Sequence, residues 1–129
     1  VTKAKTVTGA IAQATVDIAL DLEVTAIITP TSSGATARAV SKYRPEAPII
    51  GAAMSAGTYR QLALSWGVYP LLIARSRNTD EMINEAVQGA LRAGLVKEGD
   101  TVVLTAGVPA GVPGRTNLIK VHVVGQAVS

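Results

Sequence analysis

Four hydroxyl side chains and one glycine stand within the six residues Thr31, Ser32, Ser33, Gly34, Ala35 and Thr36. Small hydroxyls beside a glycine let an anion approach the backbone closely. The β-branched VTAIIT before this run reads as a strand and the ATARAV after it as a helix, so the run is a strand-to-helix loop. In open α/β sheets, ligand crevices form outside the carboxyl ends of strands, and a phosphate suits such a loop. The segment is neither a Walker loop nor a GxGxxG turn, and Ser32 or Ser33 would also serve simply as a helix cap. The residues alone leave both readings open.

A second segment, residues 107–117 (GVPAGVPGRTN), carries three glycines and two prolines and is longer than neighbouring strands require. Arg115 is its only charge and is the natural candidate to meet a phosphate. The plainer reading is a solvated surface loop.

Other chemistry is sparse. The carboxylates Asp17, Asp21, Glu23, Glu46, Asp80, Glu81, Glu85, Glu98 and Asp100 fall on helices or in turns, with no metal-ligand spacing and no acid/base pair at strand ends. No Ser-His-Asp or P-loop pattern supports nucleophilic or phosphoryl-transfer chemistry. The chain has no cysteine, which removes disulfides and thiolate metal sites and fits a reducing, cytoplasmic compartment. His122 has no second ligand nearby and reads as a half-exposed strand or interface residue. Trp66 reads as a packing residue, and Lys42 and Arg44 as cations suited to a helix C-terminus. The residues point to binding without reaction.

Net charge is +3, yet the twelve basic residues are scattered and aromatics make up only 3%, so nucleic acid is not an expected partner. No apolar run approaches the roughly 18 residues of a membrane helix, and VTKAK at the start is not a signal peptide. A chain that opens on Val1 reads as a domain cut from a longer protein.

The elements that must position these loops follow from periodicity. Ile11, Ile18, Ala19 and Leu22 mark one helical face from Thr8 to Leu22. The first strand, Val24 to Thr29, is expected to end at Pro30, which cannot donate to a ladder. A helix from Ala35 to Tyr43 stops at Arg44-Pro45, and PIIGAA (Pro48 to Ala53) follows as a strand. Ser55 caps a helix reaching about Trp66 with Leu62 buried, and Val68 to Ala74 is the third strand. Asn78 or Thr79 caps a helix with Asp80 and Glu81 in its first turn and Ile83, Val87, Ala90 and Leu91 along its apolar stripe, ended by Gly94. Asp100 to Ala106 and the alternating Leu118 to Val124 complete the set. Parallel strands need crossover helices, so this order predicts an α/β fold. It has three layers, α/β/α, with a mostly parallel five-stranded sheet and an antiparallel last edge strand, in one domain over residues 1–129.

The strings AIITPTSSGATARAVSKYRPEAPII, LALSWGVYPLL, TDEMINEAVQGAL, GLVKEGDTVVLTAGVP and TNLIKVHVVG carry a resemblance to a known family. The chain resembles the C-terminal domain of pyruvate kinase, bacterial type, over nearly its whole length. The resemblance implies a regulatory part of a homotetrameric glycolytic enzyme that transfers phosphate from phosphoenolpyruvate to ADP. The catalytic residues and the Mg2+ and K+ of that enzyme would lie outside this segment, which would be inactive alone and would hold no metal. It further implies that Thr31, Ser32, Ser33, Gly34, Ala35 and Thr36 cradle an effector phosphate. Gly111, Val112, Pro113, Gly114, Arg115 and Thr116 would form a loop closing over the effector.

Relatives that bind fructose 1,6-bisphosphate carry a Trp and an Arg before the fourth helix, where this chain reads Arg75-Ser-Arg-Asn-Thr-Asp80. The implied effector is therefore a monophosphate, such as AMP, ribose 5-phosphate or another sugar phosphate, with Arg75 and Arg77 as candidates to compensate. The domains of the family pair across a two-fold axis through the early helices and the last strand, so a homo-oligomer is implied. Two other readings compete: an assembly domain that binds no small molecule, and a free-standing enzyme on a nucleotide-binding scaffold. The second has no acid or nucleophile cluster behind it.

Overall fold

The computed structural model describes residues 7–76, 78–106 and 118–126. In chain order its elements are α1 (Val7–Leu22), β1 (Ala26–Thr31), α2 (Ala35–Ser41), β2 (Ile49–Ala53), α3 (Ala56–Leu62), β3 (Val68–Leu72), α4 (Thr79–Arg92), β4 (Thr101–Ala106) and β5 (Leu118–Val123). The five strands form one sheet in the order β3-β2-β1-β4-β5. β1 to β4 are parallel, while β5 runs antiparallel to β4 at the edge. This is the expected α/β architecture.

Both faces of the sheet are covered: β1 and β2 are buried at every position and β4 at all but its first, through side chains that are mostly apolar. Ile27, Ile49 and Val103 face Ala12, Ala19, Ala37, Val40 and Leu62 from α1, α2 and α3. Ile28, Ile50 and Leu104 face Ile83, Ala86, Val87 and Ala90 of α4. Fully burying one such isoleucine is worth about 1.5–3 kcal/mol, so these two layers account for why the sheet sits between helices. The chain steps from β1 to β2 to β3 with α2 and α3 on one face. It then returns through α4 on the other face to lay β4 beside β1. The strand order therefore reverses between β1 and β4, the place where open α/β sheets form a ligand crevice.

Pro30 does not end β1 as the sequence suggests but lies inside it, opposite Ala52. Ile27 donates to Pro48 on the β2 side, so backbone alternation turns the missing donor of Pro30 toward β4. The β1–β4 ladder accordingly stops at Ile28↔Leu104, although β1 pairs with β2 as far as Thr31↔Ala53 and β4 with β5 as far as Ala106↔Leu118. A proline inside a sheet is tolerated where no ladder bond is asked of it.

Other local expectations are corrected. The buried face of α1 is Ala12, Thr15 and Ala19, whereas Leu22 is exposed and Ile11 and Ile18 are half-buried; small residues let the helix lie close to the sheet. α3 ends at Leu62, four residues short of Trp66. Trp66 is half exposed, with the Arg44 guanidinium 4.8 Å from its ring centre, and is not a core residue. His122 is 4% exposed. Its partner Val102 belongs to the layer under α4, so the edge strand turns the imidazole inward. The α4 expectations hold: Asn78 Oδ1 accepts from Glu81 N at 3.1 Å, and Ile83, Val87 and Ala90 are buried.

Candidate anion site at the strand reversal

The hydroxyl run begins on the last residue of β1 and turns into α2, at the reversal point. Gly34 makes the turn with φ +87, a left-handed conformation that favours glycine, and it is the residue before the helix. The Gly34 N–H donates to Thr31 Oγ1 at 2.8 Å, and the Ala35 N–H donates to Ser33 Oγ at 3.2 Å. Two of the four hydroxyl oxygens thus satisfy backbone donors. Each hydroxyl keeps its own proton, so the pair can still donate outward to an anion.

Two carbonyls of the loop are engaged from outside it. Thr58 Oγ1 on α3 donates to Ser32 O at 2.9 Å, and Arg38 Nη1 on α2 donates to Ser33 O at 3.3 Å. Thr58 in turn accepts from Ser55 Oγ at 3.1 Å, and Ser55 Oγ caps α3 by accepting from Thr58 N at 3.2 Å. The chain Ser55–Thr58–Ser32 therefore ties the start of α3 to the loop. With the Ser32 and Ser33 carbonyls occupied by donors from α3 and α2, the loop's acceptors are less able to repel an anion.

Thr31, Ser32, Ser33, Gly34, Ala35 and Thr36 are all brought together here, with Thr31, Gly34 and Thr36 buried and Ser32, Ser33 and Ala35 half-buried. The second expected segment, Gly111, Val112, Pro113, Gly114, Arg115 and Thr116, lies outside the described residues, as does Arg77. Its flanks are described. Ala106 and Leu118 pair at the end of β4, at the same end of the sheet as the hydroxyl run. Arg75 follows β3, two strands away from β1, and is exposed.

Thr58 and Arg38 were not singled out as site residues by sequence reasoning. The Thr58 contact closes across 26 residues, which no local pattern reveals; the serine cap three residues earlier was the available signal. At the opposite end of the sheet, a cavity of about 480 Å³ is bounded by Val16, Leu20, Tyr43, Pro45 and Pro48, far from the hydroxyl run. Among the described residues no group of three or more His, Cys, Asp or Glu could hold a metal ion, and no helix is long and apolar enough to cross a membrane.

Comparison with known proteins bears on the fold. Residues 9–122 match the family described as "Pyruvate kinase, alpha/beta domain". A pyruvate kinase of Geobacillus stearothermophilus is 54% identical over 119 residues, covering 92% of this chain and 20% of the relative. One from Clostridium acetobutylicum is 50% identical over 120 residues, 93% of this chain and 25% of the relative. One from Bacillus licheniformis is 46% identical over 123 residues, 95% and 21% respectively. The chain thus spans a fifth to a quarter of the length of these relatives. On its sheet order, its strand-to-helix turn and this match over most of its length, the chain belongs to the pyruvate kinase alpha/beta domain family.

Proposed function

We propose that residues 1–129 form one domain, the effector-binding and subunit-assembly part of a pyruvate kinase. The whole polypeptide would transfer phosphate from phosphoenolpyruvate to ADP in glycolysis, in the cytoplasm, as a homotetramer in which these domains pair. The catalytic residues, with Mg2+ and K+, belong in this reading to the parts of a pyruvate kinase that this chain does not span. The observation that carries the effector reading is the hydroxyl run Thr31–Thr36 standing where β1 and β4 cease to pair. Loop amides and hydroxyl protons would meet the phosphate, and residues Gly111 to Thr116, with Arg115, would close over it. With no Trp between Arg75 and Asp80, the ligand is a monophosphate, AMP or a sugar phosphate. By binding one quaternary state better, it would shift the enzyme between states with a coupling on the order of 1–3 kcal/mol.

One observation favours a second reading. Thr31 Oγ1 and Ser33 Oγ already satisfy the Gly34 and Ala35 amides, which is what a purely structural turn in an assembly domain would need.

Calorimetric titration with AMP, ribose 5-phosphate, glucose 6-phosphate and fructose 1,6-bisphosphate decides between them. The Ser33→Ala/Thr36→Ala variant is the control. Saturable binding lost in the control upholds the effector site. No binding by any of the four, in the chain or in the full-length polypeptide, leaves the assembly role alone.

A further inference from the structure

Resting on the phosphate reading of the β1–α2 loop, we propose that Thr58 is a positioning residue for that site. It would fix the Ser33 N–H as an anion donor without touching the ligand. A trans peptide unit is planar, so the Ser32 carbonyl and the Ser33 N–H point in opposite directions. Thr58 Oγ1 holds the Ser32 carbonyl at 2.9 Å from the α3 side. The Ser33 N–H is thereby directed away from α3. α3 packs on β2 and β3, which lie on the far side of β1 from β4. No described residue accepts from the Ser33 N–H. Arg38 does the same for the next peptide unit, but there the Gly34 N–H already has Thr31 Oγ1 as acceptor. Of the two held units, the one gripped by Thr58 is the one whose donor has no acceptor among the described residues.

The grip is itself built. Thr58 is 7% exposed. Its hydroxyl accepts from Ser55 Oγ while donating to Ser32, so the proton chain runs one way, from the α3 cap into the loop. Donors in series polarise one another. Without the hydroxyl, the 32–33 peptide unit is free to rotate and can present a carbonyl oxygen, which repels a phosphate, in place of an N–H.

The test uses the full-length polypeptide and calorimetric titration with ribose 5-phosphate and AMP, comparing wild type with Thr58→Val, Thr58→Ser and Ser55→Ala. The expected result is an affinity about ten-fold weaker in Thr58→Val, the scale of one hydrogen bond to a charged group. Thr58→Ser should return to within about two-fold of wild type. Ser55→Ala weakens the α3 cap but leaves the Thr58 donor, so it should change melting temperature more than affinity. Equal affinities in wild type and Thr58→Val overturn the positioning role while leaving the site standing. Binding by no variant, wild type included, overturns the phosphate reading itself. Should Thr58→Val fail to fold, Thr58→Ala gives the same comparison. If neither folds, Thr58 is a structural residue and the assignment is wrong.

Discussion

Replacing Gly34 by alanine puts the conformation of the turn and its closest side-chain contact to one test. A side chain at φ +87 occupies the left-handed region, which costs an L-residue about 1–2 kcal/mol. Lost freedom in the unfolded chain returns about 0.4–1 kcal/mol of this. The added Cβ would also stand 2.6 Å from Arg38 Nη1 and 3.4 Å from Leu62 Cδ2. The guanidinium, which lies on a flexible and exposed side chain, must then leave Ser33 O, at a cost of about 0.5–1 kcal/mol. The net expectation for Gly34→Ala is a loss of roughly 1–2 kcal/mol, or about 3–8 °C in melting temperature. Urea unfolding followed by far-ultraviolet circular dichroism measures it. In an Arg38→Met background the same substitution should cost less, by about 0.5–1 kcal/mol, because the contact is already gone. Gly34→Asn should recover part of the backbone cost, since asparagine tolerates this region better. A Gly34→Ala protein as stable as wild type would mean that neither the torsion nor the Arg38 contact constrains the turn.

Two further outcomes follow from the core. Gly51→Ala should destabilise by about 1–3 kcal/mol in the same assay, because the new Cβ would lie 2.7 Å from Leu62 Cδ1 and 3.1 Å from Val68 Cγ1; combining it with Leu62→Val should cost less than the sum of the two. Burial, and then the nearby Lys120 charge, hold the His122 imidazole below its ordinary pKa of 6.5, so the unfolded chain binds the proton more readily than the folded one. Stability is therefore complete above about pH 6.5 and falls as pH drops from there through the folded-state value. Unfolding titrations between pH 7.5 and 5 should show this decline, and His122→Leu should remove its share of it; an unchanged slope in the variant would count against the burial argument.

How much of this was legible differs by element, and the reasons are physical. α4 could be read at both ends and along its face because each signal is local: Asn78 caps it, Asp80 and Glu81 complement its dipole, Ile83, Val87 and Ala90 recur at helical spacing, and Gly94 follows at φ +76. The antiparallel edge was legible from the absence of a crossover helix before Leu118. α1 misled because size is not burial. The residues pressed to the sheet are Ala12, Thr15 and Ala19, and the larger Ile11 and Ile18 flank them. Pro30 misled because a missing donor matters only where a neighbour requests it, and that depends on which strand lies on which side. His122 was read from alternation alone, with no means of knowing that its face of an edge strand is covered. The hydroxyl run was found from composition and spacing, but what holds its carbonyls comes from Arg38 in the next helix and from Thr58, which arrives after a whole strand and turn.

The ladder that stops at Ile28↔Leu104 gives the interior of this sheet something usually confined to its border. Beyond that rung, β1 leans only on β2, and β4 only on β5. The sheet there is two leaves, one of three strands and one of two, joined by a seam that backbone hydrogen bonds close at only one end. Resistance to spreading at the open end comes from side-chain packing, which is softer and non-directional. A molecule bridging the two leaves at that end would act as a rivet, and its arrival or departure would be felt first as a change in the angle of the seam.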